Sequence, residues 1–376
     1  MPKVLKKQQV VSDLESMMVR LVRARGGISR VELARKLRLV PSTAGIYVDR
    51  LLGEGYLSET AAPARGLGRP PVALHLNPRA GRFVGVDFDA RQIWATAVDF
   101  AQQPLEEARR TIPARATVER VLEIIAEAIM QVAGSRQRDL LGIGLGVPGP
   151  VDPARGVSLR YSFLEDWHDV PIGPLLAERL LVPVSIENNL RSIALAELWN
   201  GQGRGLRNFI CLGVRSGIGS GMIVDGQLLH GANNLAGEIG RWVCPQRTFG
   251  RVRSARQTIE DVASLSALLK ALRLPAVTDL VEAIEGRERA AVALVRRAAR
   301  VHAWVIHQLW TLLDPERVIV AGPLVEQDVY LDALRRATAD FGLPDLIAGL
   351  SPSTLGPFAG ARGAAALAFQ HWKPCR

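Results

Sequence analysis

Cysteine is scarce in this 376-residue chain: Cys211, Cys244 and Cys375 are odd in number and far apart. Neither a disulfide framework nor a four-cysteine zinc site can be assembled from them. Long apolar runs are missing as well, because glycine and proline interrupt every candidate before the ~18–20 residues that a membrane span needs. At the N-terminus, Lys3, Lys6 and Lys7 are followed by Asp13 and Glu15, where a secretion signal would carry its apolar stretch. The expectation is a soluble cytoplasmic protein without membrane contact. Disorder is excluded by 48% hydrophobic residues. At ~100–200 residues per domain, the length suggests two or three domains.

Acidic residues are short in one place. Residues 1–80 carry 14 Lys and Arg against 6 Asp and Glu, whereas the rest carries 33 against 31, so nearly all of the net +10 lies in the first segment. A local excess of this kind suits a module that neutralises phosphates, although a solubilising face has the same composition.

That segment reads as a winged helix-turn-helix. Leu14, Met17, Met18, Leu21 and Val22 recur at helical spacing up to Gly26-Gly27. Ser29 to Glu32 has the form of a capping box opening a second helix, with Val31, Ala34 and Leu37 expected inside. A third helix over 42–54 carries Ala44, Tyr47, Val48 and Leu51 on one stripe. Two strands, 56–58 and 72–76, then flank a loop rich in Gly, Pro and Arg. In such a unit the third helix enters the major groove, so Ser42, Thr43, Gly45, Ile46 and Arg50 are the candidate contacts to a double-stranded operator. In the loop, Arg65 and Arg69 complete the set. Gly68-Arg69-Pro70 resembles an AT-hook core, in which an extended Arg fits a narrow minor groove.

From Arg82 onward strands alternate with helices. A hairpin over 83–98, a helix over 117–132, a buried strand over 140–147, a second α/β set from 184 to 223, a long helix over 287–313 and a strand over 318–322 predict two α/β lobes with a cleft between them. The candidate domains are therefore 1–80, with a hinge over 68–78, and 81–376. Within the latter, lobe one covers about 81–187 with a C-terminal helix over 358–372, and lobe two about 188–357.

Several segments of this body, in order, carry a resemblance. They are Gly142 to Pro153, Ile186-Glu187-Asn188-Asn189, Ser216 to Gly221, Asp225 to Gly240, and Leu313 to Val320. Together they resemble the ROK family of repressors, open reading frames and sugar kinases, which implies the two-lobed actin/hexokinase-like fold. Gly68 to Pro71 with Leu76-Asn77-Pro78 is similar to the hinge of the family's repressors.

The resemblance also shows what a kinase would need. The family's phosphate hairpin, Asp-x-Gly-Gly-Thr, here reads Asp87-Phe88-Asp89-Ala90-Arg91, with a carboxylate where phosphates would sit and both glycines gone. The family's general base is an Asp, but its position holds Asn189, and an amide cannot take the proton of a sugar hydroxyl. The second phosphate contact has become Arg215-Ser216-Gly217. The zinc positions fall on Arg241, Arg251, Arg253 and Thr258, which are not plausible zinc ligands. These losses imply no catalytic residue, no cofactor and no metal: the body is expected to be a non-enzyme.

Sugar recognition is separable from catalysis. The resemblance places the effector contacts at Asn188, Asn189, Glu238, Arg241 and Glu260, types that pair with vicinal hydroxyls, while the cationic fork of Arg241 suits a phosphate or carboxylate. Arg241 can be read as selecting an acidic or phosphorylated sugar, or as filling the zinc position and pairing with Glu238. The expected whole is a sugar-responsive transcriptional regulator, most simply a repressor of a carbohydrate operon, acting as a homodimer or tetramer. Its rivals are a sugar kinase with a DNA-binding head and a regulator that has lost small-molecule binding.

Overall fold

The computed structural model describes residues 2–61, 72–161, 164, 166–244 and 257–374. Helix Pro2–Arg25 ends where Gly26 and Gly27 take φ values of 65° and 142°, a turn that a β-carbon disfavours. Its buried face is Met18, Val19 and Val22, and Met17 points outward instead. Ser29 caps helix Arg30–Lys36, its Oγ accepting from Glu32 N at 3.2 Å. This helix has only about two turns, so Leu33 and Ala34 reach the core while Val31, expected inside, is 72% exposed. Helix Pro41–Gly53 buries Ala44, Val48 and Leu51, as its stripe predicts. Strand Val72–Leu76 pairs antiparallel with Leu57–Ala61 on one side and, on the other, with a short strand Ile28–Ser29 that no sequence pattern announces. The loop bearing Arg65 and Arg69 lies outside the described residues.

Of the expected hinge over 68–78, residues 68–71 lie outside the described residues. Residues 72–76 are sheet, Pro78–Ala80 is a helical turn, and the apolar core of the first segment runs without a break into the body. Tyr56 stacks on Phe100 and meets Trp372 edge-on, with ring centroids 5.5 and 4.7 Å apart, and Phe100 also packs on Phe369 at 5.5 Å. Polar contacts fasten the same seam. Arg20 Nη1 donates to Gln370 O at 2.6 Å, and Lys373 pairs with Asp13 at 2.5 Å. Burying large aromatic rings stabilises one arrangement of head on body strongly enough to disfavour a loose tether.

The body is two sheets of five strands built to one plan. In the first, Arg82–Phe88 is central. It pairs antiparallel with Gln92–Asp99, which pairs with Pro104–Thr111, and parallel with Leu140–Val147, which pairs with Val184–Asn188. The second repeats this order: Phe209–Val214 is central, with Ile218–Val224 and Gln227–Leu228 antiparallel on one side and Arg317–Ala321 and Leu350–Pro352 parallel on the other. Helices Asn189–Asn200 and Ala359–His371 pack against each other between the sheets. Their close approach explains the glycines in the strands. A β-carbon at Gly144 would run into the Ala364 carbonyl, and one at Gly363 into that of Ser192. The long helix Arg289–Leu313 buries Val295, Ala299, Val305 and Ile306 in the core of the second sheet, with Trp304 and Trp310 packed at its edge.

Candidate functional site

The ends of the parallel strands supply the cleft. Strand Val184–Asn188 delivers Asn188 and Asn189 to the start of helix Asn189–Asn200. Asn188 is occupied structurally: its Oδ1 caps the helix, accepting from Leu190 N at 2.9 Å and Arg191 N at 3.3 Å, while Nδ2 donates to Gly149 O at 2.9 Å. Asn189 makes no side-chain hydrogen bond among the described residues, so its amide remains available. Glu260 sits in the first turn of helix Ile259–Ala263, whose start Thr258 fixes with a capping box to Asp261. Thr258, one of the zinc positions of the resemblance, thus does the work of a cap.

Glu260 Oε2 accepts from Ile218 N at 2.9 Å. Burial pushes the Glu260 carboxyl up; the Ile218 N–H opposes this and nearby Glu238 adds to it. Burial raises Glu238 as well, with Arg191 and Arg241 only partly offsetting it. Arg241 is exposed and forms no ion pair within 4 Å among the described residues, so pairing with Glu238 does not consume its fork. The structure therefore gathers Glu238, Arg241 and Glu260 into one electrostatic group at the cleft.

The hairpin that the resemblance would give to phosphate is held by its own side chains. Asp89 Oδ1 accepts from Arg91 N at 2.8 Å and Gln92 N at 2.9 Å, so the backbone donors of the turn are already taken. Asp87, 1% exposed, accepts from Arg215 Nη1 at 2.6 Å, and Arg215, 13% exposed, lies 5.0 Å from the ring centre of Trp94. This pair joins the two sheets. Burial pushes Asp87 up to about 6 even with Arg215 beside it. The sequence shows an Arg at 215 but not its partner, because Asp87 lies 128 positions away.

On the head, Ser42 and Ile46 are exposed on helix Pro41–Gly53, and Thr43 and Gly45 are half-buried; a β-carbon at Gly45 would meet nothing within 4 Å. These four form one outward face. Arg50 differs from them: its Nη1 holds the buried Glu15 at 2.9 Å, which ties the third helix to the first. Arg30 pairs with Asp49 at 2.6 Å and Glu59 at 2.7 Å, offsetting acids of the head.

A contact the sequence did not announce joins cleft and head. The Asn189–Asn200 helix carries Asn189 at one end and Trp199 near the other, about 18 Å apart at most for its 12 residues. Arg23 of the first helix lies 3.6 Å above the Trp199 ring and its Nη2 donates to Trp199 O at 3.3 Å. Burial, with Arg204 nearby, lowers the Arg23 pKa to about 10.

Comparison with known proteins agrees with this architecture. The profile described as "ROK family" matches residues 83–371. A putative xylose repressor from Caldicellulosiruptor sp. (strain Rt8B.4) is 28% identical over 335 residues, 82% of this chain and 83% of that one. Among solved structures, a ROK family transcriptional regulator described as a homologue of the E. coli MLC protein shares the fold at a TM-score of 0.78 and 20% identity, over 96% of both chains. A ROK family glucokinase from Streptomyces griseus, in complex with glucose and AMPPNP, matches at a TM-score of 0.66 and 27% identity, over 77% of this chain and 100% of that one.

Proposed function

The chain belongs to the ROK family, and from that premise we propose that it is a sugar-responsive, DNA-binding transcriptional repressor whose kinase-like body no longer transfers phosphate. Residues 2–76 act as a winged helix-turn-helix. Helix Pro41–Gly53 reads the major groove through Ser42, Thr43, Gly45 and Ile46, Arg50 stiffens it, and Arg65 and Arg69 of the loop contact the minor groove. The effector lies in the cleft against Asn189, Glu238, Arg241 and Glu260, with Asn188 shaping the helix start. Catalysis is disfavoured on two grounds: Asn189 cannot accept a proton, and the Asp87–Arg215 pair and the capped Asp89 turn occupy the phosphate region. Removal of a general base alone costs ~10²–10⁴ in rate.

The observation that carries this reading is the helix shared by the two sites. An effector that binds Asn189 more tightly in one lobe arrangement shifts the equilibrium between arrangements, and the far end of that helix is fastened to the head through Trp199 and Arg23. The test is fluorescence anisotropy with duplexes tiling the region upstream of the gene, at low and moderate salt, titrated with neutral and phosphorylated sugars. Sequence-specific binding, shifted at least about 5-fold by one sugar, is expected. Indifference to all duplexes at low salt would sink the proposal. Appreciable turnover in a coupled ATPase assay with hexoses would favour a kinase with a DNA-binding head.

A further inference from the structure

A cavity of about 520 Å³ opens among the end of strand Val184–Asn188, helix Asn189–Asn200, the C-terminal part of helix Ala359–His371, the turn at Pro153 and Ala154, and the turn and loop that follow strand Ile218–Val224. None of Asn189, Glu238, Arg241 and Glu260 lines it. Its size falls in the ~300–1,000 Å³ range of small-molecule sites. Leu195, Leu198 and Leu367 give it an apolar wall, and Asn234, Gln370 and His371 bring polar groups to the same space.

The charges decide what it can hold. Among the described residues no lysine or arginine lines the cavity, so a phosphate or carboxylate entering it would lose hydration without a lysine or arginine to pair with there. Its one carboxylate, Glu187, is already satisfied: it accepts from Asn188 N at 2.6 Å and Arg191 Nε at 2.7 Å, and lies 2.7 Å from His230 Nε2. Burial and the nearby Arg20 hold the imidazole of His371 below its usual range, hence neutral at pH 7. Such a lining suits an uncharged molecule with hydroxyl or amide groups on one edge and carbon on the other.

The position is as informative as the lining. The backbone carbonyl of Gln370 accepts from Arg20 of the head, and the His371 ring bonds Ser185 Oγ at 3.0 Å. Leu195 and Leu198 belong to the same helix as Trp199, on which Arg23 rests. Asn234 O accepts from Arg191 Nη1 at 2.8 Å, in the loop leading to Glu238.

We propose that this cavity is a second small-molecule site, separate from the cleft, that takes a neutral hydroxylated compound of mono- to disaccharide size and transmits its occupancy to the seam between head and body. The test is calorimetric titration of the full-length protein with D-xylose, D-glucose and sucrose, and with glucose 6-phosphate as the charged control. The native chain is compared with Glu238→Gln, which impairs the cleft, and with Leu198→Trp and Gln227→Trp, which fill the cavity from its wall and from its exposed rim. A neutral sugar should bind the Glu238→Gln protein with native affinity and both tryptophan variants at least about 10-fold more weakly. Gln227 is exposed on the short edge strand Gln227–Leu228, so its variant keeps the test open should Leu198→Trp fail to fold. The site is refuted if no neutral probe binds Glu238→Gln with a Kd near 1 mM or tighter, if both tryptophan variants bind like the native chain, or if glucose 6-phosphate binds Glu238→Gln as well as glucose does. Those results would leave a repressor that responds through the cleft alone intact.

Discussion

Replacing Arg215 with alanine isolates the pair that joins the two sheets, and its cost can be worked out from the titration of Asp87. With Arg215 present, Asp87 titrates at about 6 in the folded protein. At pH 7 its ionised form is therefore only about 1 kcal/mol below the protonated one. Once the guanidinium is gone, the buried carboxyl takes up a proton, which caps the electrostatic loss near that value. A buried pair broken where neither partner can titrate costs ~3–5 kcal/mol. The sign follows from the raised pKa: protonated Asp87 supports the fold most fully below the unfolded value near 3.8, that support is lost as pH rises through about 6, and Arg215 limits the loss. The destabilisation of Arg215→Ala should thus be small at pH 5, about 1 kcal/mol at pH 7 and about 3 kcal/mol at pH 8. Lost packing over Trp94 adds a pH-independent ~1 kcal/mol. Urea unfolding of both proteins at the three pH values, followed by tryptophan fluorescence, measures the difference. A difference that does not change between pH 5 and 8 would refute the reasoning.

Other substitutions probe the remaining joints. Gly363→Ala drives a methyl against the Ser192 carbonyl, and overpacking of this kind costs ~1–3 kcal/mol, which a lowered thermal midpoint would show. Trp199→Ala removes the platform under Arg23; a loss of ~3–5 kcal/mol is expected by denaturant unfolding, and the operator response to any cleft ligand should weaken in anisotropy titrations. Thr43→Ala should lower operator affinity by ~1–3 kcal/mol while leaving the thermal midpoint unchanged, whereas Arg50→Ala should lower both, because the ion pair that ties the third helix to buried Glu15 is then broken.

Periodicity and capping located most of the elements. The helix after Thr117 and the strand Leu140–Val147 stand where the apolar pattern puts them, because each side buries a continuous face and each start has its own chemical signal. Val31 and Met17 depart from their expected burial for the converse reason: in a small three-helix unit the buried stripe is narrow, and spacing alone does not say which edge of it meets the partner helix. The five candidate effector contacts were nominated only through the order of motifs. Even so, the sequence did not reveal that Asn188 is consumed as a helix cap while Asn189 keeps a free amide.

By itself, the chain's order of residues determined the charge asymmetry between its first 80 residues and the remainder, and the alternation that makes two α/β lobes. Each is a property of residue type and local spacing. Only the tertiary structure decided that Arg215 reaches Asp87, that Arg23 rests on Trp199, and that the head shares one core with the body through Tyr56, Phe100 and Trp372. Partners separated by 128 and 176 positions meet because two sheets and two helices fold against each other, and no local pattern encodes a distance across that gap.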